Sequence, residues 1–170
     1  MNHEYRQHFV FSIHLSSRGF AFVLFEGPES PYDWGIKEIR KRRKNDITLT
    51  HIRKLIERYR PDGIVIEDYE AKESKRSERV RWLYRMIEHL AMTEHIEVFR
   101  YSRDAVRKCF TSVGARTRYE IAQAIARQIP AFSHRVPKLR KIWMSEDPRQ
   151  SLFDAIALGI VHYCLAHPHP

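Results

Sequence analysis

The chain has 170 residues, 43% apolar and 30% charged, the size and mixture of one globular domain with a sizeable core. Thirty Lys and Arg against 21 Asp and Glu leave a formal charge of +9, with a sequence pI near 9.8. That excludes an acidic solvating chain and points to a polyanionic partner, nucleic acid being the commonest.

No apolar run approaches the roughly 18–20 residues that span a bilayer. The opening Met1-Asn2-His3-Glu4-Tyr5-Arg6 carries an acid and no following cleavage site, unlike a secretory signal. Cys109 and Cys164 are far apart in apolar contexts and read as buried thiols of an intracellular, cytoplasmic protein. Two cysteines are too few for a four-cysteine zinc module.

Residues 8–14 alternate imperfectly between apolar and polar, 15–19 form a small-residue turn, and 20–25 are a near-continuous apolar run. Together they predict a β-hairpin. After a loop at 27–31, residues 32–39 read as a third strand with Trp34, Ile36 and Glu38 on one face, broken by the charged run 41–46. Ile52, Leu55, Ile56 and Tyr59 fall at i, i+3, i+4 and i+7, which predicts an amphipathic helix over about 50–60. Pro61-Asp62-Gly63 stops it. Ile64-Val65-Ile66 then reads as a strand buried on both faces, with Glu67 and Asp68 emerging at its carboxyl end. A long helix is expected over about 74–93, with a stripe of Val80, Leu83, Tyr84, Ile87, Leu90 and Ala91. A strand follows at 96–101 and a short helix at 103–110. Thr117-Arg118-Tyr119-Glu120 is a capping-box pattern opening another helix, with Ile121, Ile125 and Ile129 inward. Residues 132–144 are a basic loop. Asp147 and Pro148 then start a last helix whose apolar stripe runs from Leu152 to Cys164, and 167–170 read as a disordered tail. The order β-β-β-α-β-α-β-α-α-α, without repeats or a linker, predicts one domain over 7–166: a mixed sheet with helices on both faces.

Two acids stand out. Glu67 leaves the end of a buried strand, where open α/β sheets place their ligands; the ordinary alternative is an exposed acid at a strand terminus. Asp154 borders the apolar face of the last helix, and an unpaired buried carboxylate is costly, so it needs a metal ion or a cation as partner.

These two acids, in this element order and in a basic chain, resemble the RuvC type of Holliday-junction resolvase, within the ribonuclease H-like (retroviral-integrase) superfamily. The resemblance runs from about residue 12 to 162. Ile13-His14-Leu15-Ser16-Ser17-Arg18 stands in place of the family's first-strand acid motif. Pro61-Asp62-Gly63-Ile64-Val65-Ile66-Glu67 matches the strand "P-D-x-x-x-I-E", with Ala71-Lys72 following. Val98 to Tyr101, Val106-Arg107-Lys108 and Val113-Gly114 resemble its basic segment. Ser151-Leu152-Phe153-Asp154-Ala155-Ile156-Ala157 lies where the family has the acidic helix "D-A-x-D-A-x-A". The resemblance implies a ribonuclease H-like α/β fold: a central mixed five-stranded sheet, antiparallel meander then parallel strands, with helices on both faces. It also implies a metal-dependent, structure-specific endonuclease acting on branched DNA as a homodimer. In that chemistry Mg²⁺ ions held by carboxylates activate water and stabilise the leaving oxygen.

Carried over by position, Glu67 and Asp154 match as catalytic and metal-binding residues. His14 replaces the first-strand Asp and Ser151 replaces the first acid of the helical pair, which removes two negative charges. Three readings stay open. In the first, His14, Glu67 and Asp154 hold Mg²⁺ or Mn²⁺ (imidazole suits Mn, Zn or Fe better than Mg), with Glu146 or Asp147 supplying a further acid; Asp147 also reads as a plain helix cap. In the second, the metal site has decayed and the protein only binds nucleic acid. In the third, it is a structural dimer partner whose basic surface meets an acidic protein. Lys72, Lys75, Arg76, Arg79, Arg107, Lys108, Arg116, Arg118, Lys138 and Arg140 are the expected phosphate contacts. Tyr69 and Tyr119 are candidates to stack on an unpaired base. Trp82 and Met86, beside the main stripe of the long helix, suggest a dimer surface.

Overall fold

The computed structural model describes residues 7–166; the opening hexapeptide and the 167–170 tail lie outside the described residues. The elements are β1 (Val10–Ser16), β2 (Gly19–Gly27), β3 (Ser30–Glu38), α1 (Lys44–Tyr59), β4 (Gly63–Glu67), α2 (Glu78–Thr93), β5 (Glu97–Tyr101), α3 (Arg103–Thr111), α4 (Arg118–Gln128), a short 3₁₀ turn (Pro130–Phe132) and α5 (Pro148–Ala166). The five strands form one mixed sheet in the order β3-β2-β1-β4-β5. The first three pair antiparallel, and β4 joins β1 and β5 in parallel.

Both faces of the sheet are covered, which explains why β2 reads as a continuous apolar run rather than an alternating one. Phe20, Phe22 and Leu24 enter one core with Phe11, Ile13 and Leu15 of β1 and the inner faces of α1 and α2. Ala21, Val23 and Phe25 enter the other, against Leu152, Phe153 and Ile156 of α5 and residues of α4. α5 is buried nearly all round from Gln150 to His162, as a helix lying across the middle of a sheet must be.

Two helix starts differ from expectation. α1 begins at Lys44 rather than near residue 50, because Ile47 and Leu49 pack on the first core and Thr48 is buried; the end of the charged run, Lys44 to Asp46, is its first turn. α2 begins at Glu78, not 74: Ser74 closes a turn onto the Ala71 carbonyl, and the Ser77 hydroxyl accepts from the Val80 N–H as N-cap. The expected capping box of α4 is present, with the Glu120 side chain accepting from the Thr117 N–H at 3.1 Å. The cysteines are not both buried. Cys164 is exposed on the last turn of α5, past the part of the helix that the sheet covers, and Cys109 is half-buried. They are neighbours despite their sequence separation: burial, then a hydrogen bond with Cys164, pushes the Cys109 thiol up to about 12. Among the described residues no helix is long and apolar enough to cross a membrane.

Gly159 marks a close approach of α5 to the sheet. A Cβ there would stand 2.3 Å from Cε2 of the fully buried Phe25. Helix propensity alone predicts that Gly159→Ala stabilises by about 1 kcal/mol. Overpacking against an immovable ring outweighs it, so chemical denaturation of Gly159→Ala should show a net loss of about 1–3 kcal/mol.

Candidate functional site

Strand register brings the first two candidates together. β1 and β4 run parallel with Ser12 opposite Val65. His14 and Glu67 each lie two residues further on, so they project from the same sheet face at adjacent strand ends. That face is covered by α5. The Ser12 hydroxyl donates to the Ala155 carbonyl at 2.6 Å, and His14 Nδ1 lies 2.8 Å from the Ser151 hydroxyl. Asp154, three residues after Ser151, shares its helix face, and its Oδ2 stands 3.6 Å from His14 Nε2. Glu67, His14 and Asp154 therefore converge on one pocket. Glu146 joins through a shared partner, Arg118, whose Nη1 is 2.5 Å from its Oε1.

What fills the centre is arginine. The Arg76 guanidinium spans the two strand ends, Nε donating to Glu67 Oε2 at 2.5 Å and Nη2 lying 2.9 Å from His14 Nε2. Arg103, at the start of α3, donates to the other Glu67 oxygen at 3.2 Å. Arg118 grips both oxygens of Asp154 in a fork, and the Gln150 amide adds a bond to that carboxylate at 3.2 Å. Three carboxylates meet three guanidiniums, so the local charge cancels. An arginine can only donate, which makes His14 Nε2 an acceptor and places the imidazole proton on Nδ1, donating to Ser151. Burial first, and then the Arg76 charge, hold the His14 pKa well below its usual value, in keeping with a neutral ring.

This arrangement does not fit Mg²⁺ or Mn²⁺. Hard cations require several converging oxygen donors, yet both Glu67 oxygens, both Asp154 oxygens and both His14 nitrogens are engaged by arginine, glutamine or serine. Among the described residues no group of three or more His, Cys, Asp or Glu is placed to hold a metal. Glu67, His14 and Asp154 are brought together, and guanidiniums lie against all three. The reason is electrostatic: with a neutral imidazole at His14 and a hydroxyl at Ser151, the pocket carries no excess negative charge for a divalent ion to neutralise.

Other expected residues are placed as follows. Arg76 and Arg118 turn into the site instead of out towards phosphates, and Arg79 is held by Asn45 Oδ1 at 2.8 Å. Lys72, Lys75, Arg107, Lys108, Arg116, Lys138 and Arg140 are exposed. Tyr69 cannot stack on a base: it is buried against Tyr84 (ring centroids 5.3 Å apart), its hydroxyl donates to Glu88, and Arg100 covers the ring at 4.7 Å. Tyr119 is half-buried. Asp147 caps α5, accepting from the Arg149 N–H at 2.9 Å, and its carboxylate is bound by the Arg149 side chain. Arg103 and Gln150 were not legible as partners of these acids. The available signal was general: a buried carboxylate requires a counter-charge, and basic residues follow Glu67 in the chain. An open cavity of about 380 Å³ adjoins the cluster, with Tyr101, Val106, Phe153 and Leu158 on its walls and Arg107 and Arg116 among its lining cations.

Three measurements check this site. Glu67 is 6% exposed and Arg76 15%, so Arg76→Ala leaves a buried charge short of its main partner and should cost about 3 kcal/mol in urea denaturation. Mn²⁺ should raise the thermal midpoint of that variant while leaving the wild type unmoved. For His14 the native pKa lies below the unfolded one, so the unfolded chain binds more protons and stability falls as pH drops below about 6.5. Between pH 7.5 and 5.5 the wild type should lose up to about 1.4 kcal/mol more than His14→Asn.

No protein-family model matches the sequence, and no curated protein matches it either. Solved structures do resemble it. RuvC from T. thermophilus in complex with a Holliday-junction substrate superimposes with a TM-score of 0.68 at 14% identity, covering 94% of each chain. The yeast mitochondrial Holliday-junction resolvase Ydc2 matches with a TM-score of 0.60 at 17% identity, over 96% of this chain and 82% of its own. The fowlpox virus Holliday-junction resolvase matches at 0.52 and 12% identity, over 93% and 99%. The mixed five-stranded sheet, its helices and this likeness agree with the fold that the resemblance implies: the chain has a RuvC-like fold.

Proposed function

We propose that this protein binds branched DNA, a four-way junction in particular, through phosphate contacts and without metal-dependent hydrolysis. The observation that carries this reading is the arginine-filled pocket at the strand ends of a resolvase fold. The fold and the surface suit a junction, and the charges that hold Glu67 and Asp154 take the place of the ions that hydrolysis would use. Seven exposed cations (Lys72, Lys75, Arg107, Lys108, Arg116, Lys138 and Arg140) supply the phosphate contacts. The outer face of α2, with Trp82 exposed beside half-buried Met86, is the contact by which two copies serve one symmetric junction. As a DNA-binding protein it works inside the cell.

The rival reading is a metal-dependent endonuclease, and one observation favours it: Glu67, Asp154 and Glu146 lie within one cluster. DNA phosphates competing for Arg103 and Arg118 would free carboxylate oxygens for an ion.

A junction-binding assay with Mg²⁺ or Mn²⁺ separates the two. The wild type should bind a four-way junction, with two copies per junction by sedimentation, and leave it uncut. If each of the seven cations meets one phosphate, log K should fall against log salt with a slope of about −6. Cleavage that Glu67→Gln abolishes would establish the rival. No affinity for DNA at low salt would leave the acidic protein partner.

A further inference from the structure

The segment between Pro137 and Asp147 runs through solvent beside the arginine–carboxylate cluster. Pro137 is buried, residues 138–146 are all exposed, and Gln150 is buried again in α5. Four of the exposed residues are large and apolar: Leu139, Ile142, Trp143 and Met144, with Ile142 97% and Trp143 79% exposed. Turn tips favour Gly, Asn, Asp or Ser, and clustered exposed apolar side chains mark a surface that something else covers.

The tip is a braced turn. The Met144 N–H donates to the Lys141 carbonyl at 3.0 Å, which sets Ile142 and Trp143 at its two central positions. Arg140 Nε donates to the Met144 carbonyl at 2.7 Å and ties the turn across its base. Lys141 Nζ lies 5.3 Å from the Trp143 ring centroid. Three residues beyond Trp143, Glu146 is paired with Arg118, which anchors the turn to the central pocket.

We infer that Trp143 is a base-stacking wedge: at a branch point its ring packs against an unpaired base while Lys138 and Lys141 hold the flanking phosphates. This rests on the nucleic-acid reading above and names the part of the chain that distinguishes a branch from a plain duplex. The occupant is argued from charge. Lys138, Arg140 and Lys141 interleave with the apolar residues, as a polyanion carrying flat apolar faces requires. A second copy is a poor occupant. A two-fold contact would bring these cations against their own counterparts, and a turn tip falls well short of the roughly 800 Å² per partner of a stable interface. Of the two aromatics that sequence offered for this task, Tyr69 is committed to the core and Tyr119 is half-buried.

The test uses the full chain and a four-way DNA junction carrying 2-aminopurine at the branch point, with a linear duplex of the same sequence as control. Trp143→Ala changes an exposed side chain, and circular dichroism checks that the fold is kept. The variant should bind the junction about 10-fold more weakly and lose the 2-aminopurine signal, with duplex affinity unchanged. Trp143→Tyr should restore most of both. Unchanged junction affinity and signal in Trp143→Ala would overturn the wedge while leaving phosphate-driven binding intact. An equal loss on junction and duplex would overturn it as well. Trp143-dependent sedimentation with anionic vesicles, with junction binding unaffected, would reassign the tip to a lipid surface. Failure of the wild type to bind either DNA at low salt would remove the nucleic-acid reading and the wedge together.

Discussion

A carboxylate buried at the end of a central strand cannot stay ionised alone, and the site is organised around meeting that requirement. Glu67 is nearly inaccessible, and Arg76 and Arg103 each take one of its oxygens. Arg76 also faces His14, so a single guanidinium fixes the neutral tautomer of the imidazole and, through it, the Ser151 contact to α5. Strand, helix and the segment carrying Arg76 are thereby tied at one point. Fork geometry matters here: a guanidinium presents several donors in a plane and can serve two acceptors on neighbouring strands, which a lysine ammonium does less well.

The same scaffold explains why the pocket can be read in two ways. Adjacent parallel strands place groups two residues past their paired positions side by side, and a helix lying across them adds a third. Any such constellation is equally suited to surround a cation. Whether the cation is a metal ion or a side chain depends on the number of negative charges and on which lone pairs are left. With His14 and Ser151 in the positions where the resemblance implies acids, the remaining carboxylates balance arginines one for one. The basic surface outside the pocket is a separate matter, since those side chains stand in solvent and carry no such stoichiometric constraint.

Local patterns carried much of the fold. The alternation of β1, the doubly apolar β2, the β4 run ending in Glu67 and the Thr117–Glu120 capping box each reflect short-range geometry, and each is present, β1 two residues later than the pattern placed it. Errors fell where tertiary contact overrides local polarity. The end of a charged run became the first turn of α1 because Ile47 and Leu49 reach the core, and Cys164 proved exposed because the sheet covers only part of α5.

The sequence by itself determined most of the elements and their order, and through the resemblance of its motifs it singled out Glu67, Asp154 and His14. It also determined that the surface is basic. Only the tertiary structure decided what those residues do to one another. That Arg76, Arg103 and Arg118 occupy the space between the acids depends on side chains from three separate segments reaching a common point. No periodicity encodes such a meeting. Likewise, that Tyr69 is buried while Trp143 stands in solvent depends on which surfaces the packed helices leave uncovered.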